Sequence, residues 1–197
     1  MIRIGITGGI GSGKSVVSSL LAVYDIPVYL ADIEGKRLSD ESPVIRKKMI
    51  DLFGREIYVD DRLDRPKLAT FVFGNEKLME KVNKIIHPVV NKDFKNWVKH
   101  QETKFCALES AILFESGFER EVNVVLMVYA SVELRLTRVM QRDNFSEAEV
   151  MKRMNRQLSD VLKREKSDYV IINDDKHPLI PQLEAFIKII TKNNIPQ

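Results

Sequence analysis

The sequence predicts a three-layer α/β/α fold that is built on a parallel five-stranded sheet with helices on both faces. The first observation is a glycine-rich loop between a strand-like and a helix-like segment near the N-terminus. The second is a set of strand-like runs that alternate with helical patterns: residues 2–6, 26–30, 105–109, 122–129 and 169–172. The third is the almost wholly helical stretch 33–101, which is too long for a simple crossover and predicts a helical insertion.

The glycine-rich loop, Gly-Gly-Ile-Gly-Ser-Gly-Lys-Ser at residues 8–15, matches the phosphate-binding P-loop pattern G-x-x-x-x-G-K-[ST]. Its glycines let backbone N–H groups face phosphate oxygens, and the helix that follows adds its dipole. We expect Lys14 to reach the β- and γ-phosphates and the Ser15 hydroxyl to bind Mg²⁺. The predicted ATP-binding residues of this loop are Gly9, Ile10, Gly11, Ser12, Gly13, Lys14, Ser15 and Val16. The predicted fold is therefore that of the P-loop nucleoside-triphosphate hydrolases.

Composition sets the wider bounds. The 197 residues, 44% hydrophobic and 30% charged, are typical of one soluble domain or one core with an insertion. A formal net charge of +3 does not favour bulk nucleic-acid binding. The single cysteine, Cys106, lies in an apolar run and is interpreted as a buried small hydrophobe in a reducing compartment. No signal pattern and no run of 18 apolar residues is present, so we expect a cytoplasmic location and no membrane partner.

Asp32 follows the second strand-like run. Ligands of parallel α/β sheets bind at the carboxyl ends of strands, which would place Asp32 near the phosphates if this strand neighbours the first. The same residue is also suited to cap the helix that begins at Ile33. Both interpretations stay open, and the two roles are compatible.

The insertion shows several helix signals. A helix over 43–54 is predicted to stop at Gly54, and Asp64 is predicted to cap the next helix, with Pro66 in its first turn. The pair His87-Pro88 predicts a break between helices 76–86 and 88–100. We interpret the insertion as the recognition unit for a second substrate; a purely structural helical cap is the alternative.

Two acids follow the third strand-like run. Glu109 ends that run directly, which is the Walker-B arrangement in which a carboxylate supports Mg²⁺. Glu115 ends the continuation of the segment.

Arg135, Arg138 and Arg142 recur along one face of the helix over 131–142. Near a phosphate site such planar donors stabilise charge on transferring oxygens, although a solvated face is the simpler interpretation. Ser146 and Glu149 form a capping box that opens a second basic helix. Together these helices are interpreted as a mobile lid over ATP, followed by the last strand and a closing helix over 178–192.

These residues resemble the dephospho-CoA kinase family nearly end to end. The resemblance rests on a narrow version of the P-loop and on the order of the later motifs: Thr7 to Ser15, Ala31-Asp32, Phe53-Gly54, Leu63-Asp64-Arg65, His87-Pro88, Leu113-Phe114-Glu115, Arg138, Arg142-Asp143, Gln157 and Asp168 to Asn173. The chain departs from the family pattern at Leu30 and Glu109, where aspartate is usual or common, at Val16, where threonine is frequent, and at Ala111-Ile112, where Pro-Leu is usual. None of these departures removes a charged group that the chemistry needs.

The resemblance implies ATP-dependent phosphorylation of the ribose 3′-hydroxyl of dephospho-CoA, the last step of coenzyme A biosynthesis, with Mg²⁺ as cofactor. It implies that the catalytic residues are Asp32, Lys14, Arg138 and Arg142, that Asp32, Arg65, His87 and Glu115 bind the acceptor, that Asn173 lies near the adenine, and that Ser15 and Glu109, the latter through water, support the metal. For His87 a structural helix-breaking role stays equally open. The predicted divisions are a nucleotide-binding core over 1–32, 103–137 and 160–197, an acceptor domain over 33–102 and a lid over 138–159, in a monomer or weak homo-oligomer.

Three other classes of P-loop protein are alternatives. Another P-loop kinase of a nucleoside or small metabolite shares the loop but would not need Arg65 and His87-Pro88. A GTPase-type switch needs N-K-x-D, whereas Asn91-Lys92-Asp93 places the acid one position early and on a helix. A nucleic-acid-dependent ATPase is disfavoured by the slight net charge and by the lack of an aromatic-basic platform.

Overall fold

The computed structural model describes residues 1–192, so the end of the predicted core segment 160–197 lies outside the described residues. The chain forms two compact units. The first consists of Met1–Leu30 and the chain from Gln101 onward, and the second of Ala31–His100. The roles predicted for core, acceptor domain and lid stay predictions. Across residues 1–192, no helix combines the length and the apolar character needed to cross a membrane.

The first unit contains a parallel sheet of five strands within the described residues. Its strands are β1 (Ile2–Thr7), β2 (Val28–Leu30), β5 (Phe105–Glu109), β6 (Val124–Tyr129) and β7 (Tyr169–Ile172), in the order β2-β5-β1-β6-β7. Its helices are α1 (Lys14–Val23), α6 (Val132–Asp143), α7 (Glu147–Met154), α8 (Asp160–Glu165) and α9 (Leu179–Lys192). The predicted three-layer α/β fold with a parallel five-stranded sheet is confirmed.

The core of this unit follows from the period-two pattern of β1. Ile2, Ile4 and Ile6 are buried in one cluster with side chains of α1 and α9, including Leu21 and Phe186. Each such side chain contributes about 1.5–3 kcal/mol when it is fully buried. This packing holds β1 at the centre of the sheet, between β5 and β6, so the loop after β1 starts from a rigid strand.

The second unit consists of helices and one hairpin. The helices are α2 (Ala31–Glu41), α3 (Pro43–Phe53), α4 (Arg65–Val72) and α5 (Glu76–Lys99), and the hairpin pairs β3 (Tyr58–Val59) with β4 (Arg62–Leu63). The predicted cap of α4 is confirmed, because the Asp64 side chain accepts a hydrogen bond from the Lys67 amide at 2.9 Å. The hairpin was not predicted beyond a turn; Asp60 and Asp61 take positive φ values of 46° and 62°, in place of the usual Asn-Gly.

The predicted break at His87-Pro88 is wrong, because α5 runs unbroken with Pro88 inside it. An interior proline costs a helix about 3 kcal/mol or more through the lost hydrogen bond and the ring clash. On either side of it, Val82, Val90 and Phe94 are buried within the unit. Burial of three apolar side chains, at about 1.5–3 kcal/mol each, outweighs that cost.

Candidate active site

The phosphate loop lies between β1 and α1 in the first unit and spans Gly8–Gly13. Gly11 and Gly13 take φ values of 80° and 91°, a region that side chains with a Cβ rarely adopt. A Cβ at Gly13 would also lie 2.1 Å from Nδ2 of Asn173. The close approach of Asn173 and the left-handed backbone both require glycine at this position.

Buried polar groups gather inside this loop. The Lys14 side chain extends back over the loop, where its Nζ donates to the carbonyl oxygens of Gly8 and Gly9 at 3.2 and 3.4 Å. The Ser12 Oγ is buried and has no hydrogen-bond partner among the described residues. Gly13 caps α1 without a side-chain hydrogen bond. A buried hydroxyl without a partner costs about 1–3 kcal/mol, so the loop is suited to an anionic ligand that accepts hydrogen bonds.

Ile10 differs from the other predicted ATP-binding residues of the loop. Its backbone N–H donates to Oε1 of Gln157 at 2.9 Å, and its side chain packs against a cluster formed by Val139, Val150 and Met154. The Ile10 amide therefore already has a protein acceptor. Ile10 connects the phosphate loop to α6, α7 and the segment that follows α7.

Arg135 is the residue that sequence reasoning misplaced. A solvated face was one interpretation of the arginine series, but Arg135 is 5% exposed. Its guanidinium bonds Asp160 at 2.5 Å and the Ala130 carbonyl at 3.1 Å, and a Cβ at Gly9 would lie 1.7 Å from its Nη1. The i, i+3, i+7 spacing contained no signal that separates this buried arginine from its neighbours.

Arg138 and Asn173 lie together at the edge of the phosphate loop, although 35 positions separate them. Arg138 donates to the Asn173 carbonyl at 3.2 Å and pairs with Asp175 at 2.5 Å. The Asn173 side chain donates to the Ser12 carbonyl at 2.8 Å. Arg142 is different: its side chain is 63% exposed and pairs with the adjacent Asp143.

Glu109 ends β5 next to α1. Its Oε2 accepts a hydrogen bond from Ser18 Oγ at 3.2 Å, and Ser18 lies one turn after the exposed Ser15. No group of three or more His, Cys, Asp or Glu side chains in residues 1–192 is placed to hold a metal by itself. Mg²⁺ typically binds to one or two carboxylates together with substrate phosphates, and hydroxyl and carboxylate oxygens fit that pattern.

The Glu115 carboxylate contacts α8 and the residues just before it. Its Oε1 accepts the Leu158 amide at 2.7 Å and lies 3.5 Å from Nζ of Lys163. Burial lowers the pKa of Lys163, although the charge of Glu115 acts in the opposite direction. Sequence reasoning did not identify Lys163, since one lysine in a charged helix has no pattern that marks it as buried.

In the second unit, Asp32 lies in the first turn of α2 rather than at its N-cap, because the helix begins at Ala31. The preceding strand β2 pairs with β5 and not with β1, so the neighbour relation on which the sequence argument depended is absent. Burial lowers the pKa of His87, and the negative charge of Asp32 partly offsets this effect. The structure thus brings two of the predicted acceptor residues into electrostatic contact.

Arg65, the third predicted acceptor residue of this unit, bonds Asp40 and the Lys36 carbonyl, each at 2.9 Å. Burial alone would raise the pKa of Asp40, but hydrogen bonds from Arg65 and the Leu63 amide hold that pKa below its ordinary value. Arg65 therefore connects α4 to α2 within this unit.

The contact between Asp32 and His87 gives a test that needs no substrate. Replacing Asp32 with asparagine removes the charge that favours the imidazolium, so the pKa of His87 is expected to fall further below 6.5. The measurement is an NMR titration of the His87 ring. Glu34→Gln is the matched control, since Glu34 lies in the same helical turn and pairs with Arg37. An unchanged or higher His87 pKa in Asp32→Asn would contradict the assignment.

Comparison with known proteins adds the family. The model of the dephospho-CoA kinase family matches residues 2–178. A dephospho-CoA kinase of Bacteroides fragilis is 48% identical over 190 residues, which cover 96% of this chain and 93% of that protein. The Porphyromonas gingivalis dephospho-CoA kinase is 43% identical over 191 residues, covering 96% and 95% of the two chains.

Solved structures agree with the fold. A crystal structure of a Thermus thermophilus protein superimposes with a TM-score of 0.82 at 33% identity, covering 96% of each chain. A shikimate kinase from Acinetobacter baumannii, 16% identical over 99% of this chain and 96% of its own, has a TM-score of 0.57 and shares the fold alone. The family model and the curated relatives both span most of the sequence. The chain belongs to the dephospho-CoA kinase family.

Proposed function

We propose that this protein transfers the γ-phosphoryl group of ATP to the 3′-hydroxyl of the ribose of dephospho-CoA, releasing ADP and coenzyme A. The observation that carries the proposal is the phosphate loop, in which two donors are buried: Lys14 and the Ser12 hydroxyl, which has no hydrogen-bond partner within residues 1–192. Membership of the dephospho-CoA kinase family gives the substrate class. The order of the motifs, including Arg65 and His87 in the second unit, supports this acceptor over a nucleoside or a small acid.

The nucleotide side of the reaction requires charge stabilisation. Lys14 and the loop amides would hold the β- and γ-phosphates, with Asn173 beside the adenine. Arg138 would exchange its exposed partner Asp175 for oxygens of the transferring group, and Arg142 would exchange Asp143 in the same way. Both changes replace a surface ion pair, worth only about 0–1 kcal/mol, with contacts to a more highly charged group.

Metal support would come from Ser15, with Glu109 acting through water and Ser18 fixing the Glu109 carboxylate. Mg²⁺, when bound with ATP, neutralises charge on the phosphates. The carboxylate and hydroxyl groups around α1 fit that ion because they provide oxygen ligands of low number, which leaves coordination positions for phosphate and water.

The acceptor side requires a group that receives the hydroxyl proton. Asp32 is proposed for this step, in which its carboxylate accepts or orients the proton of the 3′-hydroxyl. A carboxylate is a weak base toward an alcohol, so the proton would move late in a loose transition state. His87, Arg65 and Glu115 are proposed to orient the acceptor.

The test is turnover of ATP with Mg²⁺, with and without dephospho-CoA, with the products weighed by mass spectrometry. We expect the acceptor to gain one phosphate only when both substrates are present. Binding of ATP without phosphorylation of dephospho-CoA would contradict the proposed acceptor and leave the phosphate loop intact as a nucleotide site. A cytoplasmic location and a monomer or weak homo-oligomer remain predictions from the sequence.

A further inference from the structure

Two side chains of the first unit converge on one backbone carbonyl, that of Ala111. Nε2 of Gln157 donates to it at 3.2 Å, and Nζ of Lys163 donates to it at 2.6 Å. A carbonyl oxygen has two lone pairs, so both hydrogen bonds can form at once. Ala111 lies just after β5, in the segment that carries Glu115.

Gln157 also bonds the phosphate loop. Its Oε1 accepts the Ile10 amide at 2.9 Å while its Nε2 donates to Ala111, so both ends of the side-chain amide are engaged. Because one end must accept and the other must donate, only one orientation of the amide satisfies both partners. Gln157 therefore connects the loop at Ile10 to the segment at Ala111 through a single rigid group.

Lys163 is fully buried, with a side-chain exposure of 0%. Besides the Ala111 carbonyl, its Nζ lies 3.5 Å from Glu115 Oε1. Burying an ammonium group costs several kcal/mol, and replacing a buried ion pair with apolar side chains is often neutral or stabilising. Stability alone thus gives no reason for a lysine at this position, whereas holding a carbonyl in place does.

We propose that Lys163 is a positioning residue for nucleotide binding: it fixes the Ala111 carbonyl, which fixes Gln157, which in turn fixes the Ile10 amide and the phosphate loop. Lys163 acts through these groups and is not assigned a contact with the nucleotide. The inference rests on the proposed function only in taking a nucleotide as the ligand of the loop. The proposal explains why the Ile10 N–H of the phosphate loop donates to Gln157.

The test uses the full chain and ADP with Mg²⁺ as the probe, with Kd measured by calorimetry and folding by circular dichroism. In Lys163→Met the Kd for ADP is expected to rise about tenfold, within the range for coupled residues. The melting temperature does not decide the matter, since loss of a buried charge moves it in either direction. Lys163→Arg keeps a donor and a charge and is expected to restore most of the affinity. Arg164→Met, on the exposed face of the same helix, is the control and should leave the Kd unchanged.

A second variant tests the route itself. Gln157→Met removes the middle group, so it should weaken ADP binding by a similar factor, and the double variant should be no weaker than either single variant. An unchanged Kd in folded Lys163→Met, or losses that multiply in the double variant, would overturn the proposal. If Lys163→Met does not fold, unchanged ADP binding in Gln157→Met overturns it instead.

The ADP-binding test of Lys163 and the phosphorylation test of the proposed function can fail independently of each other. ADP binding reports the state of the loop without any acceptor, whereas phosphorylation of dephospho-CoA reports the reaction. A wild-type protein that binds ADP but does not phosphorylate dephospho-CoA would overturn the proposed function and leave the Lys163 result standing. Normal turnover in the wild type, together with unchanged ADP binding in both variants, would support the proposed function and overturn the role of Lys163.

Discussion

Asp32→Asn is expected to lower kcat for dephospho-CoA phosphorylation by about 100-fold or more, the usual loss when a general base is removed. Asparagine keeps the size of the side chain and cannot accept a proton at neutral pH. The KM for ATP is expected to change little, because the proposed role of Asp32 concerns only the acceptor hydroxyl. The measurement is steady-state kinetics with each substrate varied in turn.

Glu34→Gln is the matched control for this variant. Both carboxylates lie in the first turn of α2, so each substitution removes one charge from the same end of the same helix dipole. Glu34 pairs with Arg37 at 2.6 Å and has no proposed part in the reaction. Equal losses in the two variants would assign the effect to the helix, and near-normal turnover in Asp32→Asn would remove Asp32 as the base.

Arg138→Met is expected to lower kcat by about 10³-fold, the lower end of the range for an arginine that stabilises transferring phosphate. The proposed transfer places negative charge on the γ-phosphoryl oxygens, and methionine keeps the chain length but donates no hydrogen bond. The free energy of unfolding should fall by about 1 kcal/mol, because Asp175 is 64% exposed and regains water, while the Asn173 carbonyl loses one hydrogen bond. Turnover and thermal unfolding of the same preparation check both parts.

Arg120→Met is the control for Arg138, since the Arg120 side chain is 84% exposed and the charge change is the same. Arg135 is unsuitable for this comparison although it lies on the same helix. Its guanidinium is buried and bonded to the half-buried Asp160, so its replacement removes the partner of that carboxylate and costs stability. Turnover of Arg138→Met close to that of Arg120→Met would contradict the proposed role.

Local sequence signals predicted much of the fold. The bounds of β5 and β7 and the capping box at Ser146 follow from short-range patterns, and the structure has them as predicted. The continuation of α5 through Pro88 could not be predicted from such patterns, because burial on both sides of the proline depends on helices elsewhere in the unit. Local preference was outweighed there by tertiary packing.

In the candidate site, too, local sequence patterns located some residues and missed others. The P-loop pattern located Lys14 and the glycines, since their conformations are set within a few residues. Arg135 and Lys163 were beyond such reasoning, because their burial results from contacts with residues 25 and 52 positions away. The partner of the Ile10 amide, Gln157, lies 147 positions along the chain.

The strand order has a consequence for any shortened form of the chain. The unit Ala31–His100 is inserted between β2 and β5, which are parallel neighbours in the sheet. Between the end of β2 and the start of β5 the chain must therefore return along the strand direction to the opposite end of the sheet. Parallel neighbours need a connection of a dozen residues or more, so a tight turn cannot replace the inserted unit. A shortened protein without the inserted unit would still need a return segment of helix length. Deletion of the whole unit with no such replacement would prevent β2, the edge strand, from pairing with β5 in parallel.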